Sequence, residues 1–139
     1  GIWISRPPFT IVVGRSAKES DGLLRRWSKG NDLWLHARGV TGAHVVVRLD
    51  KGRSCSPETL VDAATLGAHF SDLRGEPVVD VLYTPRRFVR KSKGSPIGSV
   101  TLEREKVGSR GTPTARTASR GREASLSTSF GALNANAPA

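Results

Sequence analysis

The sequence predicts an α+β domain, a mostly antiparallel sheet with two helices packed on it in the order β-β-α-β-β-α-β-β, followed by a disordered C-terminal tail. Three observations predict it. Short β-branched runs recur over the first hundred residues and are divided by Gly and Pro. Two stretches between them carry helical spacing. From Ser109 onward Gly, Ser, Thr, Ala, Arg and Pro dominate, and periodicity is lost.

The elements follow in order. IWIS, a Pro7-Pro8 breaker and FTIVVG (Phe9 to Gly14) give the first one or two strands. In SAKESDGLLRRWSKGND, Leu23, Leu24 and Trp27 share one side of a helix that Gly30 ends. Asp32 to Ala37 and Ala43 to Leu49 read as two strands joined by GVTG, a link of hairpin length. After a polar loop, Ser56-Pro57-Glu58 opens a second helix with an N-cap, a Pro at the first position and an acid in the first turn. Its stripe of Leu60, Ala63, Ala64, Gly67 and Phe70 is rich in small residues, which suits close packing on a sheet.

In VVDVLYT (Val78 to Thr84), Val79, Val81 and Tyr83 alternate with Val78, Asp80 and Leu82, as in a strand with one wetter face. The basic stretch PRRFVRKSKGSP comes next, and Ile97 to Leu102 gives the last short strand. The folded domain is expected over residues 1–107. Residues 108–139 form the tail, too poor in apolar surface to offset the entropy of ordering it. Its Arg110, Arg116, Arg120 and Arg122 are expected to add weak, salt-sensitive affinity for a polyanion.

Charge narrows the class of partner. The formal net charge is +10, and up to Gly108 there are 18 Lys and Arg against 11 Asp and Glu. The folded part is therefore basic by itself, which favours a polyanion such as nucleic acid. No apolar run approaches the roughly 20 residues that span a bilayer, so no membrane partner is expected. Cys55 is the only cysteine, which leaves no intramolecular disulfide and no thiolate cluster for zinc. A reducing, cytoplasmic compartment fits this. Met is absent and the chain opens at Gly1, so the sequence can be a piece of a longer one.

Four constellations bear on chemistry. His36 and His44 flank the GVTG turn and can meet across the hairpin, where such a pair can hold a metal or shuttle a proton. A metal site needs a third ligand, and no Cys, Asp or Glu stands between them; a hydrogen-bonding role is the expectation, with RNA contact and then metal binding behind it. Cys55 sits in a Ser-rich loop with no nucleophile signature around it. Gly14 and Arg15 precede a helix and offer an anion contact, but without the glycine spacing of a phosphate-binding loop. The strongest signal is the cluster Arg86, Arg87, Arg90, Lys91 and Lys93, which follows a strand directly and contains Phe88. Guanidinium groups bind phosphates bidentately, and an aromatic can stack on an unpaired base.

The stretches FTIVVGRSAKESDGLL, NDLWLHARGVTGAHVVVR, TLVDAATLGAHFS and VDVLYTPRRFVRKSKGSPIGSV together resemble the NFACT-R domain, the C-terminal module of ribosome quality control factors of the RqcH, fibronectin-binding protein A and nuclear export mediator factor type. The signature positions are Asp32, Trp34, His36, Gly42 and His44. The resemblance implies an RNA-binding module that is not an enzyme and carries no cofactor or metal. It implies the large ribosomal subunit, rRNA and tRNA as partners on stalled, split ribosomes, with Arg15, Lys18, Arg38 and the basic cluster 86–93 on phosphate. The chain departs from the family pattern at Ser16, at Ser20, and at Thr41 and Ala43 in TGAH. Two other functions remain open at this level: a small metal-dependent hydrolase built on His36 and His44, and DNA contact through the same cations.

Overall fold

The computed structural model describes residues 1–91, 94–103, 113–118 and 124–126. Seven antiparallel strands form one sheet in the order β1-β2-β4-β3-β5-β8-β9. These are β1 (Ile2–Arg6), β2 (Phe9–Gly14), β3 (Leu33–Ala37), β4 (His44–Arg48), β5 (Val78–Pro85), β8 (Thr114–Ala118) and β9 (Ala124–Leu126). The two-residue strands β6 (Val89–Arg90) and β7 (Thr101–Leu102) pair in a separate ribbon. Helix α1 (Ala17–Gly22) lies between β2 and β3, and α2 (Pro57–His69) between β4 and β5.

The period-2 pattern of each strand divides the interior in two. Ile11, Val13, Leu33, Leu35, Val45, Val47, Val79, Val81 and Tyr83 point to one face, where Leu60, Ala63, Ala64 and Ala68 of α2 cover them. Small residues on that helix allow the close approach: a Cβ added at Gly67 would stand 3.5 Å from Val81 and 3.7 Å from Val45. Ser56 caps α2 by accepting from the Thr59 amide, and Pro57 sits in its first turn, as the sequence predicts. On the opposite face Val12, Trp34 and Val46 pack under Leu23, Leu24 and Val89, with Trp27, Leu82, Val100 and Leu102 around them. The expected α+β class and the antiparallel sheet with two helices are what the structure shows.

Three details differ from the sequence reading. The first helix runs as α-helix only to Gly22; Leu23–Trp27 is a π turn, closed by the Ser28 amide donating to the Leu23 carbonyl at 2.9 Å. The wider turn frees the Leu24 carbonyl, which accepts from Ser28 Oγ and from Arg86. The strand expected over Ile97–Leu102 shrinks to Thr101–Leu102, because Ile97 is 56% exposed in a turn closed by the Ser99 amide on the Pro96 carbonyl.

The third is that the sheet continues beyond residue 107. Thr114–Ala118 pairs with β5, its Ala115 and Thr117 buried on the α2 face and Arg116 turned out to Asp80. The alternation is real but is written in Ala and Thr, which carry little hydrophobic signal. Arg116 is consequently bound in an ion pair rather than free for a partner. Ala124–Leu126 adds a further strand on β8; apart from residues 113–118 and 124–126, the tail expected over 108–139 lies outside the described residues, as do Arg110, Arg120 and Arg122.

Asp32, fully buried, ties these parts together. Its Oδ1 accepts from the Leu49 amide at 3.0 Å, and its Oδ2 accepts from the Lys29 amide at 2.8 Å and from Arg48 Nε at 3.2 Å. Its carbonyl accepts from the Arg86 amide at 2.7 Å. Arg48, so anchored, donates to the Trp27 carbonyl and lies 4.0 Å above the Trp27 ring, against which Trp3 packs edge-on. Replacing Asp32 with Asn keeps the volume but removes the charge and places an amide donor against other donors. A loss of about 2–4 kcal/mol is expected in urea unfolding, with an unchanged m-value.

Candidate nucleic-acid interface

The parity of β3 and β4 places Trp34, His36, His44 and Val46 on the face away from α2, and their register sets His36 beside His44. The ring centroids are 5.0 Å apart, and His36 also lies parallel to Trp34 at 5.9 Å with an interplanar angle of 6°. The pairing expected across the hairpin is therefore present. His44 is fully engaged: its Nδ1 accepts from Trp34 Nε1 at 3.0 Å and its Nε2 donates to the Gly98 carbonyl at 2.9 Å. This arrangement fixes the tautomer and leaves no lone pair for a metal. Among the described residues no group of three His, Cys, Asp or Glu converges. His44 is thus a structural element, held by both ring nitrogens.

Burial and the neighbouring His36 push His44 down to about 4, against the pull of the Gly98 carbonyl. Burial also lowers His36, opposed by the Ala37 and Gly42 carbonyls. Its Nδ1 donates to the Ala37 carbonyl at 2.7 Å, while the ring stays half-exposed.

These rings form the floor of a cleft of about 750 Å³. Its walls come from four places in the chain: Arg15 to Ala17 and Ser20 at α1, Val40 to Gly42 in the β3–β4 loop, His69 to Asp72 and Arg74 after α2, and Ile97 to Leu102 before and within β7. Glycines set the closeness of the walls. Gly42 bridges to Ser71, where an added Cβ would stand 2.8 Å from the Ser71 Cβ. Gly98 takes φ +83, and its added Cβ would lie 3.1 Å from Ala17. Gly14 packs under α1, whose Ser20 Oγ donates to the Gly14 carbonyl at 2.8 Å. The departures at Ser16 and Ser20 keep polar function, since Ser16 caps α1 by accepting from the Glu19 amide at 3.0 Å.

The predicted cations do not form one patch. Arg15, Lys18 and Arg38 are exposed at the hairpin end of the sheet, on the cleft side of which Arg74 also stands. The cluster that begins at Arg86 lies at the other end, because Leu33 pairs with Pro85 while Ala37 pairs with Val81. The six strand steps from Asp32 to Arg38 put the two groups about 20 Å apart.

Within the second group the roles divide. Arg86 points inward, its guanidinium donating to Ser28 Oγ, the Val89 carbonyl and the Leu24 carbonyl at 2.9, 2.8 and 3.1 Å. It is a clamp between the π turn and β6, with three of its five N–H donors committed inside the domain. Lys91 is drawn onto Asp21 of α1, whose carboxyl it holds below its ordinary range. Arg90 pairs with Glu103 at the surface at 2.8 Å and is 63% exposed. Arg87 lies over the Phe88 ring at 4.9 Å, with no carboxylate in ion-pair reach among the described residues. Lys93 lies outside the described residues. The sequence reading missed Arg74; nothing local marks it, since its place is set by the Gly42–Ser71 contact.

Comparison with known proteins adds one decisive observation. Residues 2–104 match the family model described as the NFACT protein RNA binding domain. The chain belongs to this family. It is 35% identical over 95 residues to a protein named Rqc2 homolog RqcH from Bacillus subtilis, a match covering 68% of this chain and 16% of that one. A Streptococcus suis protein of the same name is 36% identical over 99 residues, covering 70% and 17%. The protein named coiled-coil domain-containing protein 25 from Danio rerio is 29% identical over 105 residues, covering 72% and 50%. The chain thus spans about a sixth of the RqcH relatives and half of the last. A solved structure titled as the C-terminal of the fibronectin/fibrinogen-binding protein from Streptococcus suis superposes with a TM-score of 0.67 at 29% identity, covering 87% of this chain and 43% of that one.

Two outcomes follow from the geometry of the NFACT domain's cleft. His44 titrates near 6.5 when unfolded and at about 4 when folded, so between these values the unfolded state holds more protons. Stability should fall as the pH drops from about 6.5 towards 4, by up to about 3 kcal/mol, and denaturant titrations of a His44→Gln variant should show a flatter dependence over that window. Gly42→Ala should cost about 1–3 kcal/mol by forcing the hairpin loop off Ser71, read as a lower thermal midpoint.

Proposed function

We propose that this chain is the RNA-binding module of a ribosome quality control factor, contacting large-subunit rRNA or tRNA on stalled, split ribosomes. The observation that carries the reading is the family match over a domain that presents cations at both ends of one sheet: exposed Arg15, Lys18 and Arg38 at one, Arg87 with the surface-paired Arg90 at the other. The RqcH names of two relatives support the quality control setting. Two groups about 20 Å apart suit a phosphate backbone that runs along the domain rather than a single small anion. In this reading the chain is not itself an enzyme, needs no cofactor and works in the cytoplasm. Arg86 and Lys91 support the surface by holding β6 and α1 in place.

The test is a binding titration against tRNA and a large-subunit rRNA fragment at several salt concentrations. Affinity should fall steeply with salt, and Arg87→Glu with Arg90→Glu should weaken it about tenfold or more and reduce the salt slope by about one to two. Arg15→Glu with Arg38→Glu should do the same from the other end. Unchanged binding in both double variants overturns the reading. Competition by duplex DNA of equal length, as effective as tRNA, would transfer it to DNA.

A further inference from the structure

The cleft at the hairpin end of the sheet, with Arg15 and Arg74 on its rim, is not accounted for by backbone contact alone. Resting on the RNA-binding reading, we propose that it receives a single unpaired nucleotide of the bound RNA, its base laid against His36 and its phosphate held on the rim by Arg15 or Arg74.

The size argues first. About 750 Å³ lies in the range of small-molecule sites, large enough for one base and its sugar and too small for a base pair within a helix. The chemistry argues next. The floor offers the partly exposed His36 ring, lying parallel to the buried Trp34 beside it, and Phe70 with the His69 ring edge-on to it stands in the wall. Every base offers a π-face to such a surface, and stacking is the common means of holding unpaired nucleotides.

The floor is rigid. His36 is fixed by its bond to the Ala37 carbonyl, and Trp34 by its bond to His44, which Gly98 holds in turn. Burial keeps both imidazoles below their ordinary range, so the floor is uncharged near neutrality and presents an aromatic rather than a cationic face. Charge is confined to the rim, where Arg15 and Arg74 outnumber the single carboxylate, Asp72.

The test uses the full chain and three probes: a short single-stranded RNA, the blunt duplex of equal length, and the free mononucleotides. The single strand should bind more tightly than the duplex by about fivefold to a hundredfold, the range expected of one stacked base. His36→Ala should abolish most of that preference while leaving duplex affinity unchanged. Arg74→Ala, an exposed rim change that does not disturb the core, should reduce it too, and so carries the test if His36→Ala fails to fold. Ring resonances of His36 should shift with the single strand and not with the duplex.

Equal affinity of the wild type for both RNAs, or a preference that survives both variants, overturns the proposal while leaving backbone binding intact. Tight binding of a mononucleotide with no effect of either variant on the RNA strand also overturns it, pointing to a free-nucleotide site. Absence of RNA binding in the wild type would instead overturn the function proposed above.

Discussion

The buried carboxylate of Asp32 is the interaction on which the rest of this domain depends. A charge taken out of water is tolerated only when its lone pairs are satisfied, and here two backbone amides and a guanidinium satisfy them. In meeting that requirement the carboxylate joins the turn before β3 to the end of β4, draws Arg48 across Trp27, and through its own carbonyl fixes where the basic segment leaves β5. The cations of that segment are therefore displayed from a rigid base. Loss of the charge would loosen both the sheet's end and the surface it presents.

At the other end of the same strands the organising element is the chain of contacts from Trp34 through His44 to Gly98. It spans fifty-four residues in sequence with one hydrogen bond. A neutral imidazole is suited to this, because one nitrogen accepts and the other donates. The same pairing that looks like a metal or proton-transfer site in a linear reading consumes both nitrogens in structure. What remains for a ligand is the half-exposed ring of His36 and the walls around it.

Much of the sheet is legible in the sequence because its strands are β-branched and obey strict alternation, so both the faces and the His36–His44 register follow from parity. The capped, small-residue helix α2 is equally plain. Arg86 is not legible as a clamp: its inward course depends on carbonyls freed by a π turn some sixty residues earlier. The strand Thr114–Ala118 is hidden because Ala and Thr can fill a sheet position beside α2 without raising local hydrophobicity. The cleft is hidden for a different reason, since four loops meet only after the glycines at 14, 42 and 98 permit their close approach.

That added strand has a consequence for the domain as a unit. The family match ends at residue 104, whereas the sheet recruits Thr114–Ala118 to cover β5. A chain cut at 104 would bare the β5 margin along the five residues Val78 to Leu82 that Thr114–Ala118 covers, leaving it open to strand addition. Self-association of such a truncated domain would then mimic, or mask, recognition of a partner. The segment past the family boundary thus completes the sheet beside β5.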